Sequence, residues 1–324
     1  MFFNRMKPNI TKKTKGFLKK GVGSSFSREL KYNGQLYLLL LPAILYFTIF
    51  CYIPMYGVQI AFKNFNPVLG IIGSKFVGFK HFIRFFNSYQ FALIIKNTLI
   101  ISLYYLIADF PIAIILAIII NQMRQKKLKG LLQTVAFAPH FISTPAMVGI
   151  IIILLAPGTG ILNRLVTWII GRDAGVILGN SRLFNSIYVW TGIWQNMGWE
   201  SIIYTAVLTS INPELYEAAD IDGAGKFRKI LSIDLPALMP TAITMLILNS
   251  GKMLNIGFEK VFLMQNSMNL IASEVISTYV YKVGLAGADF SYSTAINLFN
   301  SVVNLIILIT VNYFAKKTSE VSLW

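Results

Sequence analysis

The sequence predicts an all-α integral membrane protein with six transmembrane helices and both termini in the cytoplasm, on three observations. Apolar residues make up 55% of the 324-residue chain and charged residues 13%, about half the charged share of an ordinary soluble domain. The apolar residues gather in long blocks, and six can be drawn, at 36–60, 91–120, 133–156, 186–211, 236–257 and 293–315. The basic residues are shared unequally between the two sets of loops that those blocks define.

A spanning helix needs roughly 20 mostly apolar residues, because the hydrocarbon core is about 30 Å thick and each helical residue rises about 1.5 Å. Residues 1–35 hold nine Lys and Arg, a basic stretch longer than the n-region of a secretory signal, and are expected to form a retained cytoplasmic tail. The first block carries the single cysteine, Cys51, which rules out an intramolecular disulfide or a thiolate cluster. The second carries Asp109 ahead of Pro111. Pro139 and Pro145 interrupt the third, Gln195, Asn196 and Glu200 dilute the fourth, and Asn249 and Lys252 the fifth. The sixth is apolar again and leads into a short tail, 316–324, so that 36–315 forms one membrane domain.

With loops assigned alternately from the amino terminus, eighteen Lys and Arg fall on the side of both termini and nine on the other. Cytoplasmic loops carry such an excess. A net charge of +16 raises nucleic acid as a partner. The basic residues, however, cluster at Lys12, Lys13, Lys15, Lys19 and Lys20 and at Arg124, Lys126, Lys127 and Lys129, beside the ends of apolar blocks. Anionic lipid heads account for them, and no nucleic-acid-binding fold accompanies the charge. Membrane lipid is therefore the expected partner and nucleic acid is not. His81 and His140 lie far apart without Cys or carboxylate companions at ligand spacing, so no metal or catalytic site is expected. No G-x-x-x-x-G-K-[ST] loop occurs, so ATP is not handled by this chain.

Between the fourth and fifth blocks, 212–236 reads as a cytoplasmic helix, a turn and a second short helix. Asn212 suits an N-cap, Pro213 the first helical position, and Glu214 and Glu217 the positive end of the helix dipole. Gly223 and Gly225 permit a turn before Lys226-Phe227-Arg228-Lys229, and Pro236 opens the fifth span. Small residues Ala218, Ala219, Gly223 and Ala224 would let another protein approach closely, although a solvated loop with a capped helix reads equally well from the pattern alone.

Glu217-Ala218-Ala219, then Gly223, then Ile233-x-Leu235-Pro236 resemble the EAA motif of binding-protein-dependent ABC importer permeases. The stretch from Tyr216 to Pro236 and Gly257-Phe-Glu-Lys-Val-Phe-Leu-Met264 resemble the carbohydrate branch, in particular the polysaccharide or lipoprotein-type permeases related to the maltose permeases. The likeness covers about residue 36 to the carboxyl end. It implies a type I ABC importer permease fold in a bacterial plasma (inner) membrane. It also implies a coupling helix at 214–235 that docks on the ATPase through Glu217, Ala218, Ala219, Asp222, Gly223, Ala224, Ile233, Leu235 and Pro236. The partners implied are a second homologous permease in a heterodimer, two cytoplasmic ATP-binding subunits that hold ATP and Mg, and an external solute-binding protein. The implied cargo is a sugar, with an oligosaccharide favoured and an acidic, uronate-type one open because of Lys252. No loop is long enough for the large external domain of some maltose-type permeases.

Polar side chains at membrane depth face a cavity or a neighbouring helix. Asn297, Asn300 and Asn304 share one face of the sixth block and suit either sugar hydroxyls or interhelical hydrogen bonds. Asn249, Ser250, Lys252 and Asn255 surround Gly251 and Gly257 in the fifth, which the resemblance places beside the translocation path. In the fourth, Trp190, Trp194, Asn196, Trp199 and Glu200 suit either sugar stacking or interfacial anchoring. Asp109 and Glu200 also admit a proton-coupled secondary transporter, which would show inverted repeats that this sequence does not display. A membrane enzyme would need a convergent catalytic set that cannot be assembled here.

Overall fold

The computed structural model describes residues 22–123, 125–319 and 321–324. Residues 1–21 of the basic tail and Arg124 of the second basic cluster lie outside the described residues. The chain divides into two compact units, Met1–Gln59 and Ile60–Trp324. In the first, helix α1 (Val22–Phe47) widens into a π turn at Thr48–Tyr52, two residues before Pro54, which has no N–H to offer a regular ladder.

The second unit opens with a two-stranded antiparallel hairpin, β1 (Lys63–Asn66) and β2 (Ser74–Phe76), with Lys63 opposite Phe76. The all-α expectation is therefore amended by one small hairpin. There follow α2 (Lys80–Phe86), α3 (Phe91–Gln122), α4 (Lys126–Phe137), α5 (Thr144–Leu155), α6 (Ile161–Ile170) and α7 (Ser181–Thr209). Next come α8 (Pro213–Ile221), α9 (Leu235–Ser250), α10 (Phe258–Met264), α11 (Ile276–Tyr281) and α12 (Phe290–Ser319).

Among the described residues, four helices are long and apolar enough to cross a membrane: Tyr32–Phe62, Phe91–Gln122, Lys226–Ser250 and Phe290–Ser319. A bent pair makes a fifth candidate. Three expectations change here. The third block is not one straight span: Lys126–Phe141 and Thr144–Leu155 meet at 101°. Pro139 sits in a 3-10 turn and Pro145 opens the next helix, each removing an N–H where a continuous ladder would need one. The fifth span does not open at Pro236. Its helix starts at Lys226, passes through a π turn at Ile230–Asp234 and ends at Ser250, so Lys252 and Asn255 lie in the turns beyond it. Third, the fourth block lies in Ser181–Thr209, a helix that is not among these candidates.

In lipid, helices associate through close packing rather than the hydrophobic effect, and glycines mark the closest approaches. A Cβ on Gly198 of α7 would fall 2.1 Å from the Ala136 carbonyl oxygen of α4, and one on Gly251 would fall 2.8 Å from the Leu308 side chain of α12. α3 and α7 form the most extensive helix pair. One buried cluster, with Ile101, Tyr188, Ile193 and Val261, packs near one end of that pair, and another, with Ala113, Ala117, Tyr204 and Leu238, packs near the other. Helix α6 is inside out by the rule for soluble proteins. Its Asn163 is fully buried and bonds the Gly175 carbonyl at 2.8 Å, while Ile161 and Trp168 face outward.

Candidate functional site

Between the two apolar clusters α3 and α7 line a cavity of about 560 Å³ with the bend between α4 and α5, the end of α9, the turns after it and α10. Polar residues reach it from every side: Ser102, Tyr105 and Asp109 from α3, and Gln195, Asn196 and Glu200 from α7. Asn249, Lys252, Asn255 and Lys260 close the far wall. Here lies the reason for the diluted fourth block. A helix whose polar residues are at i, i+1 and i+5 of one face keeps them out of lipid by turning them inward.

The cavity side chains are held by neighbours. His140 shares a 3.0 Å hydrogen bond with Asn196 Oδ1 and stacks on Trp199 at 4.6 Å between centroids. Gln195 Nε2 donates to the Ile142 carbonyl at 2.9 Å, in the bend between α4 and α5, which turns the carbonyl freed by the break into an acceptor for α7. Asp109 and Glu200 both line the cavity, from α3 and α7, and Asp109 Oδ1 is buried without a hydrogen-bond partner. Lys260 Nζ donates to the Tyr188 carbonyl at 3.1 Å and sits 4.8 Å from that ring.

Of the residues singled out for a substrate path, the cavity gathers Asn196, Asn249, Lys252 and Asn255. It does not gather Trp199, Asn297, Asn300 or Asn304. Asn300 and Asn304 donate to Asn255 Oδ1 at 3.0 and 3.1 Å, and Asn304 Oδ1 accepts from the Leu254 amide at 3.0 Å. Those two amides tie α12 to the turn after α9, as the interhelical reading expects. Trp190 and Trp194 are half exposed on the outer side of α7, and Trp190 Nε1 donates to Tyr104. Sequence reasoning passed over Lys260, Tyr105 and Gln195 as cavity residues. Lys260 stood inside the quoted stretch 257–264, and a lysine three residues beyond the end of the fifth block was the available signal.

The second candidate surface is 212–236. Asn212 caps α8 by accepting from the Glu214 amide at 3.1 Å. The chain turns at Gly223, whose φ is +71°, a conformation that side chains resist. Gly225 is not needed for that purpose, since its φ of −68° in extended backbone suits any residue. Glu217, Ala218, Asp222 and Gly223 are exposed, while Ala219 and Ala224 are half-buried. Leu215, Ile221 and Phe227 are also exposed, the last two at 88% and 84%, so the knob offers apolar as well as charged surface. Ile233 and Leu235 are half-buried. Beneath the knob, Asp234 is fully buried and accepts from Tyr216 OH and, at 2.9 Å, from Gln122 Nε2 at the end of α3. Lys229 and Asp220 form an ion pair across the turn.

Both features lie in a stretch that is similar to known proteins. Residues 109–320 match the family described as binding-protein-dependent transport system inner membrane component. Protein LplB of Bacillus subtilis is 41% identical over 304 residues, covering 94% of this chain and 95% of LplB. The polygalacturonan/rhamnogalacturonan transport system permease protein YteP of the same species is 42% identical over 285 residues, covering 88% of each. A chain in the crystal structure of a bacterial alginate ABC transporter, in complex with an alginate pentasaccharide-bound periplasmic protein, is 38% identical. It superposes with a TM-score of 0.83 over 91% of this chain and 99% of that one. A helical membrane core with a polar cavity at its centre and an exposed 212–236 knob thus agrees with the sequence relationship, and the chain belongs to the binding-protein-dependent transport system inner membrane components.

Proposed function

We propose that this chain is the permease subunit of an ATP-driven importer that passes an acidic, uronate-type oligosaccharide from an external binding protein to the cytoplasm. The observation that carries this reading is the cavity: amides of Asn196, Asn249 and Asn255 suit sugar hydroxyls, and Lys252 and Lys260 suit negative charge. Relatives named for polygalacturonan/rhamnogalacturonan and for alginate support an acidic cargo.

In this reading six helices cross the bacterial inner membrane with both termini inside. Residues 1–35 form a cytoplasmic tail, 36–315 the membrane domain and 316–324 a second tail. Residues 214–235 dock on one of two ATPase subunits, which hold ATP and Mg, through Glu217, Ala218, Ala219, Asp222, Gly223 and Ala224. A second, homologous permease completes a heterodimer. ATP binds the closed ATPase pair more tightly than the open one, and that difference shifts the permease population from inward to outward facing.

The test is ATP hydrolysis by the reconstituted complex with its binding protein and a panel of sugars, wild type against Gly223→Asp. The variant places a charged side chain on exposed backbone at φ +71°. Hydrolysis stimulated by acidic oligosaccharides in the wild type and lost in the assembled variant is the expected result; undiminished stimulation would overturn the docking role of 214–235.

A second reading draws on one observation, the presence of Asp109 and Glu200 in the lining of one cavity. A proton-coupled transporter using that pair would import without any ATPase subunit and would stop when an uncoupler collapses the proton gradient.

A further inference from the structure

We propose that Lys260 is the receptor for the carboxylate of the cargo, a role resting on the transport reading above and going beyond it to the residue that selects charge.

Lys260 lies on α10 with 8% of its surface exposed, and it lines the cavity. The ion pairs among the described residues are Arg84–Asp289, Lys229–Asp220 and Lys282–Glu274, and Lys260 is in none of them. Its one hydrogen bond goes to the carbonyl of Tyr188, an oxygen inside α7 to which Thr191 Oγ1 also donates at 3.2 Å. An ammonium has three donors, so two N–H bonds are left for the cavity. A buried cation without an anionic partner is costly enough that proteins keep one only where something pairs with it. Among the described residues no carboxylate pairs with Lys260: Asp109 and Glu200 line the same cavity but form no ion pair with it, and the cavity supplies room.

The room is built in. Gly192 faces Lys260 from α7, and a Cβ there would fall 3.3 Å from Nζ and 2.8 Å from the Tyr105 ring. The missing side chain keeps the space above the ammonium open. Around it, Asn196 and Asn255 offer the neutral donors and acceptors that sugar hydroxyls need, and Tyr188 supplies an aromatic face. Lys252 also lines the cavity, but it lies in the turn after α9 and is exposed rather than buried. Lys260 is the desolvated charge, and a desolvated ammonium gains most from an anion.

The experiment is equilibrium dialysis of a radiolabelled galacturonate trisaccharide, and of a neutral galactose trisaccharide, against the purified whole transporter without binding protein. Wild type, Lys260→Met and Lys260→Arg are compared, and thermal stability is read alongside. The acidic sugar is expected to bind wild type and to bind Lys260→Met about tenfold or more weakly, as loss of a charge-assisted contact predicts. Lys260→Arg is expected to restore most of that loss, and the neutral sugar to be indifferent to either change. Because methionine fills the same space without a buried charge, Lys260→Met should melt no lower than wild type. An equal loss for both sugars, no loss for the acidic one, or a large fall in melting temperature would overturn the proposal. So would absence of acidic-sugar binding by a transporter that still imports the sugar in proteoliposomes. A wild type that imports no sugar at all would overturn the transport reading itself.

Discussion

Asp234 joins three helices through two hydrogen bonds. Its buried carboxylate accepts from Tyr216 on the knob helix α8 and from Gln122 at the end of α3, while its own backbone lies in the π turn that leads into α9. A push on α8 therefore reaches two long helices through one side chain. Tyr216→Phe removes one donor and nothing else, and a hydrogen bond to a charged group contributes about 2 kcal/mol, so the assembled variant should melt lower and convert less of its ATP hydrolysis into import. The pH dependence follows from the same contact. Burial, and Asp234 beside it, hold the Tyr216 hydroxyl above its ordinary range. A group whose folded value is raised gives stability that is fully present below its unfolded value, about pH 10, and is lost as pH rises through the folded value. Wild type should lose stability above about pH 10, and Tyr216→Phe should show a lower but flatter alkaline limb in thermal melts. The motif Ile233-x-Leu235-Pro236 was legible in the sequence, yet the residue at its variable position makes the connection. Nothing in spacing announces that, because a carboxylate's value here depends on which donors the fold brings to it.

At the scale of elements, α7 carries the most information. Its polar face and its tryptophan edge were both visible in the sequence, but which faced the cavity was not, since hydropathy reports composition and not direction. The packing of Gly198 against Ala136 fixes the rotation of the helix. Gly198→Ala would drive a methyl into a backbone carbonyl, which cannot swing aside as a side chain can. It should cost about 1–3 kcal/mol in stability and weaken sugar binding, because Asn196 and Glu200 turn with the helix. An unchanged melting temperature and unchanged binding would show that α4 gives way. The bend between α4 and α5 was half legible: Pro139 and Pro145 signalled a break, whereas its 101° angle follows from Gln195 and Gly198 of α7, which hold the bend in place.

For the whole molecule, the proposed topology puts residue 173 outside and residue 217 inside, so that α7 alone crosses between them. With Cys51→Ser as background, Asp173→Cys in right-side-out vesicles should react with a membrane-impermeant maleimide. Glu217→Cys should react only after the vesicles are opened. Labelling of both from one side would mean that α7 does not span and that the count of six is wrong; the reverse pattern would invert the molecule.

The sequence by itself determined the membrane class, most of the helical blocks, the capped segment at 212–236 and the family, because each rests on a local property: a run of apolar residues long enough for a bilayer, a capped helix start, a motif of fixed spacing. Only the tertiary structure decided which polar residues meet. Asn196, Asn249, Lys252 and Asn255 converge on one cavity, Asn300 and Asn304 tie helices together instead, and Lys260 is buried without an ion-pair partner among the described residues. Those outcomes depend on helix rotation and close approach between segments far apart in the chain, and on whether a buried charge finds its counterion within the protein or must take it from what the cavity holds.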